Sequence, residues 1–355
     1  MRIFNRPFIR KPRVAMVMCV RNESRFLAAN LTYHRSLGIE RAYVFLDRCS
    51  DGSDKIAASF PWVCATCVDP NDARRFKQVP DLQVLCMDRA LQQARDEGFD
   101  WLMSADADEF AATSKKIRTA SPLPSLLVRI SAKVELVRLR PRELMPTNLD
   151  PADPFWKQQF FQIDPHYCRR ALDLRDQTVK SWRGFAGHTR GKSIVRTRAD
   201  VQALGAHGWT RFQDVSYPHI PAAVKLKSVD RGYLLHYMIV DWQQWLDKYR
   251  KLAHTPATFR SGGPVEFPKQ AWKETTPSMT DQQAREYFRD CVATGEEQLC
   301  QLVDSGIAER NDLVERTLAS ADKMENAAIQ QIHSWSMPPE FWDNGTSGVT
   351  TRGAA

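Results

Sequence analysis

Apolar residues follow two different patterns between residues 14 and 106 of the chain. Short, largely apolar runs, such as VAMVMCV at 14–20 and DWLMSAD at 100–106, are typical of strands that are buried on both faces of a sheet. Between them lie segments whose apolar residues recur every three or four positions, such as RFLAANLTYHRSLG at 25–38, and this spacing predicts amphipathic helices. The alternation of the two patterns predicts an α/β fold with a mostly parallel sheet flanked by helices.

Polar segments follow three of the predicted strands. The predicted strands are 14–20, 41–47, 62–69 and 100–106, and the predicted helices are 25–38, 54–60 and 80–99. The segments RNES, DRCSDGSD and ADADEF stand after the first, second and fourth strands. Because parallel α/β sheets bind ligands at the carboxyl ends of their strands, we expect these three segments to form a single site.

The sequence after residue 110 is less regular. It predicts strands at 133–140 and 192–197, a loop at 146–156, a helix at 241–252 and further helices within 281–325. The final residues, NGTSGVTTRGAA, have the composition of a disordered segment. We therefore divide the chain into a basic N-terminal tail (1–12), an α/β domain (13–255), a helical C-terminal extension (256–340) and a disordered tail (341–355).

The composition is that of a soluble globular protein, and its positive net charge either indicates anionic partners or only keeps the protein soluble. The chain has 355 residues, of which 43% are hydrophobic and 26% charged, and its net charge is +8. No apolar run approaches the roughly 20 residues of a membrane helix. The N-terminus is basic but lacks the apolar core of a secretory signal, so we expect reduced cysteines and a cytoplasmic location.

The basic N-terminal tail is predicted to be disordered, with peripheral contact to the anionic inner face of a membrane as the alternative. Nucleic acid is not an expected partner, because lysine and arginine are spread along the chain and no nucleic-acid reading motif is present.

Asp106 and Asp108 are the first candidates for chemistry. In an extended segment, residues two positions apart point to the same side, so these two carboxylates would face one ligand. Hard cations such as Mg²⁺ and Mn²⁺ prefer oxygen ligands and complete their shells with phosphate and water. The alternative interpretation is a turn with two solvated acids. His236, in the apolar run YLLHYMIV, is either a buried core histidine or a further ligand opposite the pair.

Two other short patterns are weaker evidence for metal or phosphate binding. CATC at 64–67 has the spacing of half a zinc site, but no second pair follows and its neighbours alternate as in a strand. AGHTRGKS at 186–193 is close to the P-loop pattern, but a strand-like segment follows it where that motif requires a helix. A basic loop with spaced glycines still suits phosphate contact through Lys192.

Together the motifs resemble those of GT-A-type glycosyltransferases, in the family-2-like and family-92-like groups. The matching residues are Arg21, Asn22, Glu23, Tyr33, His34, Leu37, Gly38, Asp47, Ser50, Asp51, Gly52, Asp106, Asp108, Glu109, Phe110, Lys192, His236 and Lys248. The resemblance covers residues 13–250 and implies a GT-A, Rossmann-like fold. Residues 260–355 match nothing in this group.

The resemblance implies a nucleotide-sugar donor, a UDP-sugar above all, and Mn²⁺ or Mg²⁺ as the cofactor. The nucleotide-sugar contacts implied are Arg21, Asn22, Glu23, Asp47, Arg89, Asp106 and Lys192, the metal ligands Asp106, Asp108 and His236, and the catalytic residues Asp108, Glu109 and Asp214. The cation would neutralise the departing nucleotide diphosphate. The general base stays open among Glu109, Asp164 and Asp214.

The expected function is a metal-dependent glycosyltransferase, a hexosyltransferase with a DxD motif. It would act on a glycan or lipid-linked acceptor, with inversion of configuration, in surface polysaccharide biosynthesis. One alternative is a nucleotidyltransferase that acts on sugar phosphates, although the loop CVRNESRF after the first strand lacks the glycine expected there. The other is a non-catalytic nucleotide- or glycan-binding protein.

Overall fold

A computed structural model describes residues 10–75, 79–113, 122–163, 191–205, 207–211, 226–253 and 269–321. Asp164 and Asp214, two of the three candidate bases, lie outside the described residues, as do most of the N-terminal tail and the whole C-terminal tail.

The described residues form both strands and helices. The strands are β1 (Val14–Val20), β2 (Arg41–Leu46), β3 (Val63–Cys67), β4 (Trp101–Ser104), β5 (Glu109–Ala112), β6 (Leu136–Glu143), β7 (Phe160–Gln162), β8 (Lys192–Arg196), β9 (Val201–Ala203), β10 (Trp209–Arg211), β11 (Ser228–His236) and β12 (Ala308–Arg310). The α-helices are α1 (Ser24–Ser36), α2 (Ser53–Ala58), α3 (Pro70–Arg75), α4 (Val79–Asp96), α5 (Leu123–Leu127), α6 (Trp242–Leu252), α7 (Lys269–Thr275), α8 (Asp281–Tyr287), α9 (Glu296–Asp304) and α10 (Leu313–Ala321).

Eight of the strands form one sheet in the order β3-β2-β1-β4-β8-β6-β11-β5. Strands β3, β2, β1 and β4 are parallel neighbours, and β6 and β11 run in the same direction as these four. Strands β8 and β5 run the opposite way. The prediction of a mostly parallel sheet flanked by helices is therefore confirmed. One edge of this sheet contains the carboxyl ends of six strands and the amino ends of β8 and β5. We call it the collecting edge.

The central strand β1 is buried on both faces, which explains its uninterrupted apolar sequence. Val14 and Met16 point to one side, where they pack in a core with residues of α1, α2 and α10. Ala15 and Val17 point to the other side and pack with Cys86 and neighbouring residues of α4. Helix α1 ends before Gly38, whose φ of 94° is the left-handed conformation expected of a helix C-terminal glycine.

The C-terminal helices pack in two places. Helix α10 contacts α1 and contributes three residues, Leu313, Val314 and Leu318, to the core beneath the sheet. Helices α6, α7 and α8 share a separate cluster around Trp245 and Trp272. The predicted boundary between residues 255 and 256 stays a prediction, because it falls in a stretch outside the described residues. None of the described helices combines the length and the apolar character needed to cross a membrane.

Three predictions about the elements are corrected by the structure. Strand β4 ends at Ser104, and residues 106–109 form a turn closed by a hydrogen bond from the Glu109 N–H to the Asp106 carbonyl. Strand β5 begins directly after this turn, whereas the sequence predicted only a polar segment at 105–110 and no strand there. The short strand β12 interrupts the helices predicted within 281–325, because it pairs with β7.

Candidate active site

The collecting edge of the sheet gathers nearly all the predicted site residues that the structure describes. Arg21, Asn22 and Glu23 follow β1, Asp47 follows β2, Asp106 and Asp108 follow β4, Glu109 begins β5, Lys192 begins β8, and His236 ends β11. Strand direction explains this gathering, since the two reversed strands start where the other six end. Residues more than 80 positions apart along the chain thus become neighbours.

Asp106 is held by two groups, one on each carboxylate oxygen. Its Oδ2 lies 2.8 Å from Nζ of Lys192, and its Oδ1 accepts a hydrogen bond of 3.0 Å from Nε2 of Gln83. Lys192 is only 2% exposed. Burial alone would lower the pKa of this lysine, but the charges of Asp106 and Glu109 raise it to about 12. The ammonium group therefore stays charged inside the protein and faces this side of the site.

Asp108 faces a different set of partners. Its Oδ2 lies 3.4 Å from Nε2 of His236 and 3.7 Å from Nζ of Lys248. Burial would raise the pKa of Asp108, but these two positive groups hold it well below its usual range. The expectation that Asp106 and Asp108 lie in one extended segment is wrong. Residues 106–109 form a turn, and the two carboxylates face different positively charged side chains.

His236 bridges two carboxylates. Its Nδ1 lies 2.9 Å from Oε1 of Glu143, on the neighbouring strand β6, while Nε2 faces Asp108. Burial would lower the pKa of His236, but Glu143 and Asp108 hold it well above its usual value. A histidine whose Nδ1–H is donated to a carboxylate presents Nε2 to a ligand, which is the usual arrangement of metal-binding histidines.

Glu109 lies beneath the turn instead of facing outward. It is 0% exposed, and its Oε2 accepts a hydrogen bond of 2.7 Å from the backbone N–H of Asp106. Burial is the main cause that raises the pKa of this carboxyl to about 8. The geometry fits a group that braces the turn.

The loops after β1 and β2 are joined by hydrogen bonds. Asp47 is buried and accepts hydrogen bonds from Nε of Arg21 (2.7 Å) and Nε of Arg48 (2.8 Å). Burial would raise the pKa of Asp47, but the two guanidinium groups hold it below its usual range. Asn22 has a φ of 58°, and its Oδ1 accepts a hydrogen bond from the N–H of Ser50. These hydrogen bonds join the two loops into one wall beside the turn.

Glu23 belongs to the same loop after β1 and lies near Asp108 of the turn. Burial raises its pKa to about 8, and the nearby charge of Asp108 acts in the same direction. A neutral carboxyl group here can donate as well as accept a hydrogen bond.

One predicted residue lies away from the site. Arg89 is exposed on α4 and pairs with Asp72 of α3 at 2.8 Å. Sequence reasoning in turn gave no role to Gln83 or Glu143, which contact Asp106 and His236. The only sequence signal for Gln83 was that it is a polar residue on the packed face of helix α4. Glu143 could be recognised only once its register opposite His236 was known.

The residues present fit a divalent cation held by Asp108 and His236. Their oxygen and nitrogen atoms face each other, and Glu143 orients the imidazole. A cation would replace the proton on Nε2, as is general when metals bind histidine. Within the described ranges, no group of three or more His, Cys, Asp or Glu residues is arranged to hold a metal. Two protein ligands are nevertheless enough where phosphate and water complete the shell.

No family model matches the chain, but two curated proteins are similar to it. The chain is 24% identical over 233 residues to one Arabidopsis thaliana protein named glycosyltransferase-like, which covers 64% of this chain and 49% of the relative. A second Arabidopsis thaliana protein of the same name is 24% identical over 276 residues, covering 76% of this chain and 52% of the relative. The chain thus spans about half the length of these curated relatives.

The similarity of the chain to solved structures is weak. Glucosyl-3-phosphoglycerate synthase from Mycobacterium tuberculosis, in complex with Mn²⁺, UDP-glucose and phosphoglyceric acid, superposes with a TM-score of 0.27 at 13% identity, over 52% of this chain and 57% of that one. The bifunctional glycosyltransferase WbbM gives 0.29 at 9% identity, over 54% and 32%. TM-scores this low do not assign the fold or the function.

Proposed function

We propose that the chain is a glycosyltransferase of the GT-A type that uses a nucleotide-diphosphate sugar and a divalent cation. The observation that carries this proposal is the placement of the 106–109 turn at the sheet edge, beside the joined loops after β1 and β2. The turn places two carboxylates and several positive groups together, and these groups can hold a cation and a diphosphate. Sequence similarity to proteins named glycosyltransferase-like supports the same class.

The donor is proposed to lie across the collecting edge. Asn22, Glu23 and the Arg21–Asp47 pair would hold the nucleoside, since they form the wall beside the turn. Asp106, a third exposed and already oriented by Lys192, would accept hydrogen bonds from ribose hydroxyls. UDP-sugars are the donors proposed first.

Asp108 and His236 would hold Mn²⁺ or Mg²⁺ next to the diphosphate. When bound, such a cation supplies positive charge to a departing nucleotide diphosphate. Lys192 is a fixed ammonium group on one side of the turn, and Lys248 is another, 3.0 Å from the Met238 carbonyl, on the other side. Because both are held by the fold before any substrate binds, they can stabilise negative charge without reorganisation.

The transfer step is proposed to be an attack of an acceptor hydroxyl on the anomeric carbon, with inversion of configuration. A carboxylate would take the proton of that hydroxyl. Glu109 is poorly placed to be this base, because it is buried and already bonded to the turn. Asp214 and Asp164 stay open. A glycan or lipid-linked acceptor, a role in surface polysaccharide synthesis and peripheral membrane contact also belong to the proposal.

The proposal is tested by screening UDP-, GDP- and dTDP-sugars for hydrolysis with and without Mn²⁺. Turnover of one donor should depend on the cation and should be abolished by Asp108→Ala. The control is Asp230→Ala, which removes a surface carboxylate paired with Arg140 and should leave turnover unchanged. Near-normal transfer by the Asp108 variant contradicts the proposal. Release of pyrophosphate would indicate a nucleotidyltransferase, and binding of UDP without turnover or cation dependence a binding protein.

A further inference from the structure

Helix α1 contacts the 106–109 turn through the side chain of Asn30. This side chain is 0% exposed. Its Nδ2 donates hydrogen bonds to the backbone carbonyls of Ala107 (2.9 Å) and Glu109 (2.7 Å). The carbonyl of Asp106 lies 3.4 Å from the same nitrogen. One buried amide group therefore binds the backbone of the turn that carries the two candidate site aspartates.

His34 fixes the orientation of that amide. Its Nε2 accepts a hydrogen bond of 3.2 Å from the backbone N–H of Ala111, so this nitrogen carries no proton. The proton of the neutral ring is then on Nδ1, which lies 2.8 Å from Oδ1 and 3.0 Å from the backbone carbonyl oxygen of Asn30 and donates to this pair of oxygens. With Oδ1 engaged in this way, Nδ2 of Asn30 must face the turn. Burial supports the neutral state, since it lowers the pKa of His34 to about 4.

Two further backbone groups of the turn are bound. The N–H of Asp106 donates to Glu109, and the carbonyl of Asp108 accepts from the N–H of Tyr237 at 2.8 Å. An aspartate side chain has only two torsions, so the position of its backbone largely decides where its oxygens can lie. Small displacements of groups that bind or orient a reactant are costly for binding and for turnover.

We propose that Asn30 and His34 are positioning residues that set the geometry of the 106–109 turn and, through it, the affinity for a nucleotide diphosphate and its cation. Neither residue is placed to touch a ligand. The effect on ligand affinity rests on the proposed function, whereas the effect on the turn itself does not. Tyr33 offers a matched control, because its hydroxyl donates a buried hydrogen bond of 2.7 Å to the Ala111 carbonyl, on β5 beyond the turn.

The first experiment compares Asn30→Asp with Tyr33→Phe in the full chain. Asn30→Asp keeps the size of the side chain and the acceptor for His34 but removes the two N–H donors. Hydrogen–deuterium exchange of the amides in 105–110 should accelerate in this variant and stay as in the wild type in Tyr33→Phe. Equal protection in the wild type and Asn30→Asp, or equal loss in both variants, overturns the proposal.

The second experiment separates the two contacts of His34. The amide of His34→Asn can reproduce Nδ1 and keep the bond to Asn30, whereas that of His34→Gln can reproduce Nε2 and keep the bond to Ala111. The probes are Mn²⁺ and UDP, with bound Mn²⁺ measured by electron paramagnetic resonance. We expect His34→Gln and Asn30→Asp to weaken Mn²⁺–UDP binding by about tenfold to a hundredfold, the range for groups that orient metal ligands. His34→Asn and Tyr33→Phe should stay within about threefold of the wild type, less than the low end of that range.

The outcomes separate this inference from the proposed function. If the wild type binds neither UDP nor Mn²⁺, the proposed function fails, and hydrogen exchange alone decides whether Asn30 holds the turn. If the wild type binds both and His34→Asn loses as much affinity as His34→Gln, the role of His34 through Asn30 is refuted. A uniform loss that follows thermal stability across all four variants also refutes it, because a structural role alone would produce that result.

Discussion

The acids of the 106–109 turn and the positive groups that face them come from two different parts of the chain. Strands β1, β2 and β4, with the turn that follows, bring Asp47, Asp106 and Asp108. Strands β8 and β11 and helix α6, all beyond residue 190, bring Lys192, His236 and Lys248. These three acids lie within the first 110 residues, whereas the three positive groups come from beyond residue 190 and reach the edge through strand pairing and helix packing. The charge balance of the site therefore depends on the packing of the chain beyond residue 190 against the part before it.

The largest expected effect comes from the glycine that precedes Lys192. Gly191 has a φ of 65°, and a Cβ on it would lie 2.0 Å from the Leu139 carbonyl. Gly191→Ala should therefore lower the free energy of unfolding by about 3 kcal/mol or more, since it adds a backbone collision to the cost of a left-handed residue. Urea denaturation measures the loss.

Gly52, in the first half, is the matched control for this glycine. Its φ is 86°, but a Cβ there would meet no atom within 4 Å. Gly52→Ala should cost only the left-handed conformation, about 1–2 kcal/mol. Equal losses of unfolding free energy in the two variants would show that Gly191 does not lie this close to the Leu139 carbonyl of β6.

Removing the buried cation should have the next largest effect. Lys192→Met leaves Asp106 and the buried Glu109 without their positive partner. We expect the free energy of unfolding to fall by about 2–3 kcal/mol. This is less than the full cost of breaking a buried pair, because Asp106 is a third exposed. Donor turnover should also fall strongly. Lys157→Met, which breaks the exposed pair with Asp153, should cost less than about 0.5 kcal/mol. A loss as small for Lys192→Met as for this control would mean that the positive group does not balance the acids.

The smallest effect is a dependence on pH. The pKa of His236 in the folded protein is raised above the ordinary value of 6.5, because Glu143 and Asp108 face it. Its stabilising contribution is therefore fully present below that value and is lost as the pH rises through the folded pKa. The difference in unfolding free energy between the wild type and His236→Gln, measured with a chelator from about pH 5 to about pH 9, should shrink as the pH rises. A difference that grows over this range contradicts the ion bridge.

The sequence was informative for the first half for a physical reason. Strands β1 to β4 carry apolar runs or apolar alternation, and the helices between them carry apolar residues at helical spacing. The order of these elements alone places the polar segments at one edge. The direction of the side chains within 105–109 was not predictable, because it depends on the turn and on Asn30, a polar residue inside an apolar helix face.

The second half was harder to predict because its contacts join distant residues. His236 and Glu143 meet across 93 positions through a strand register that no local pattern encodes. Arg89 was assigned to the site, yet it pairs with Asp72 on α3, a short helix that the sequence analysis did not predict. Lys192 was found by its glycine-spaced basic loop, although its burial was not foreseen.

The central claim is that this edge binds a nucleotide diphosphate together with a divalent cation. The most direct measurement is an anomalous difference map from crystals of the full chain grown with UDP and Mn²⁺. The account predicts a manganese peak within coordination distance of Asp108 and Nε2 of His236, with the diphosphate beside it and the nucleoside against Asn22 and Asp47. UDP bound elsewhere, or manganese without contact to Asp108, would contradict the account.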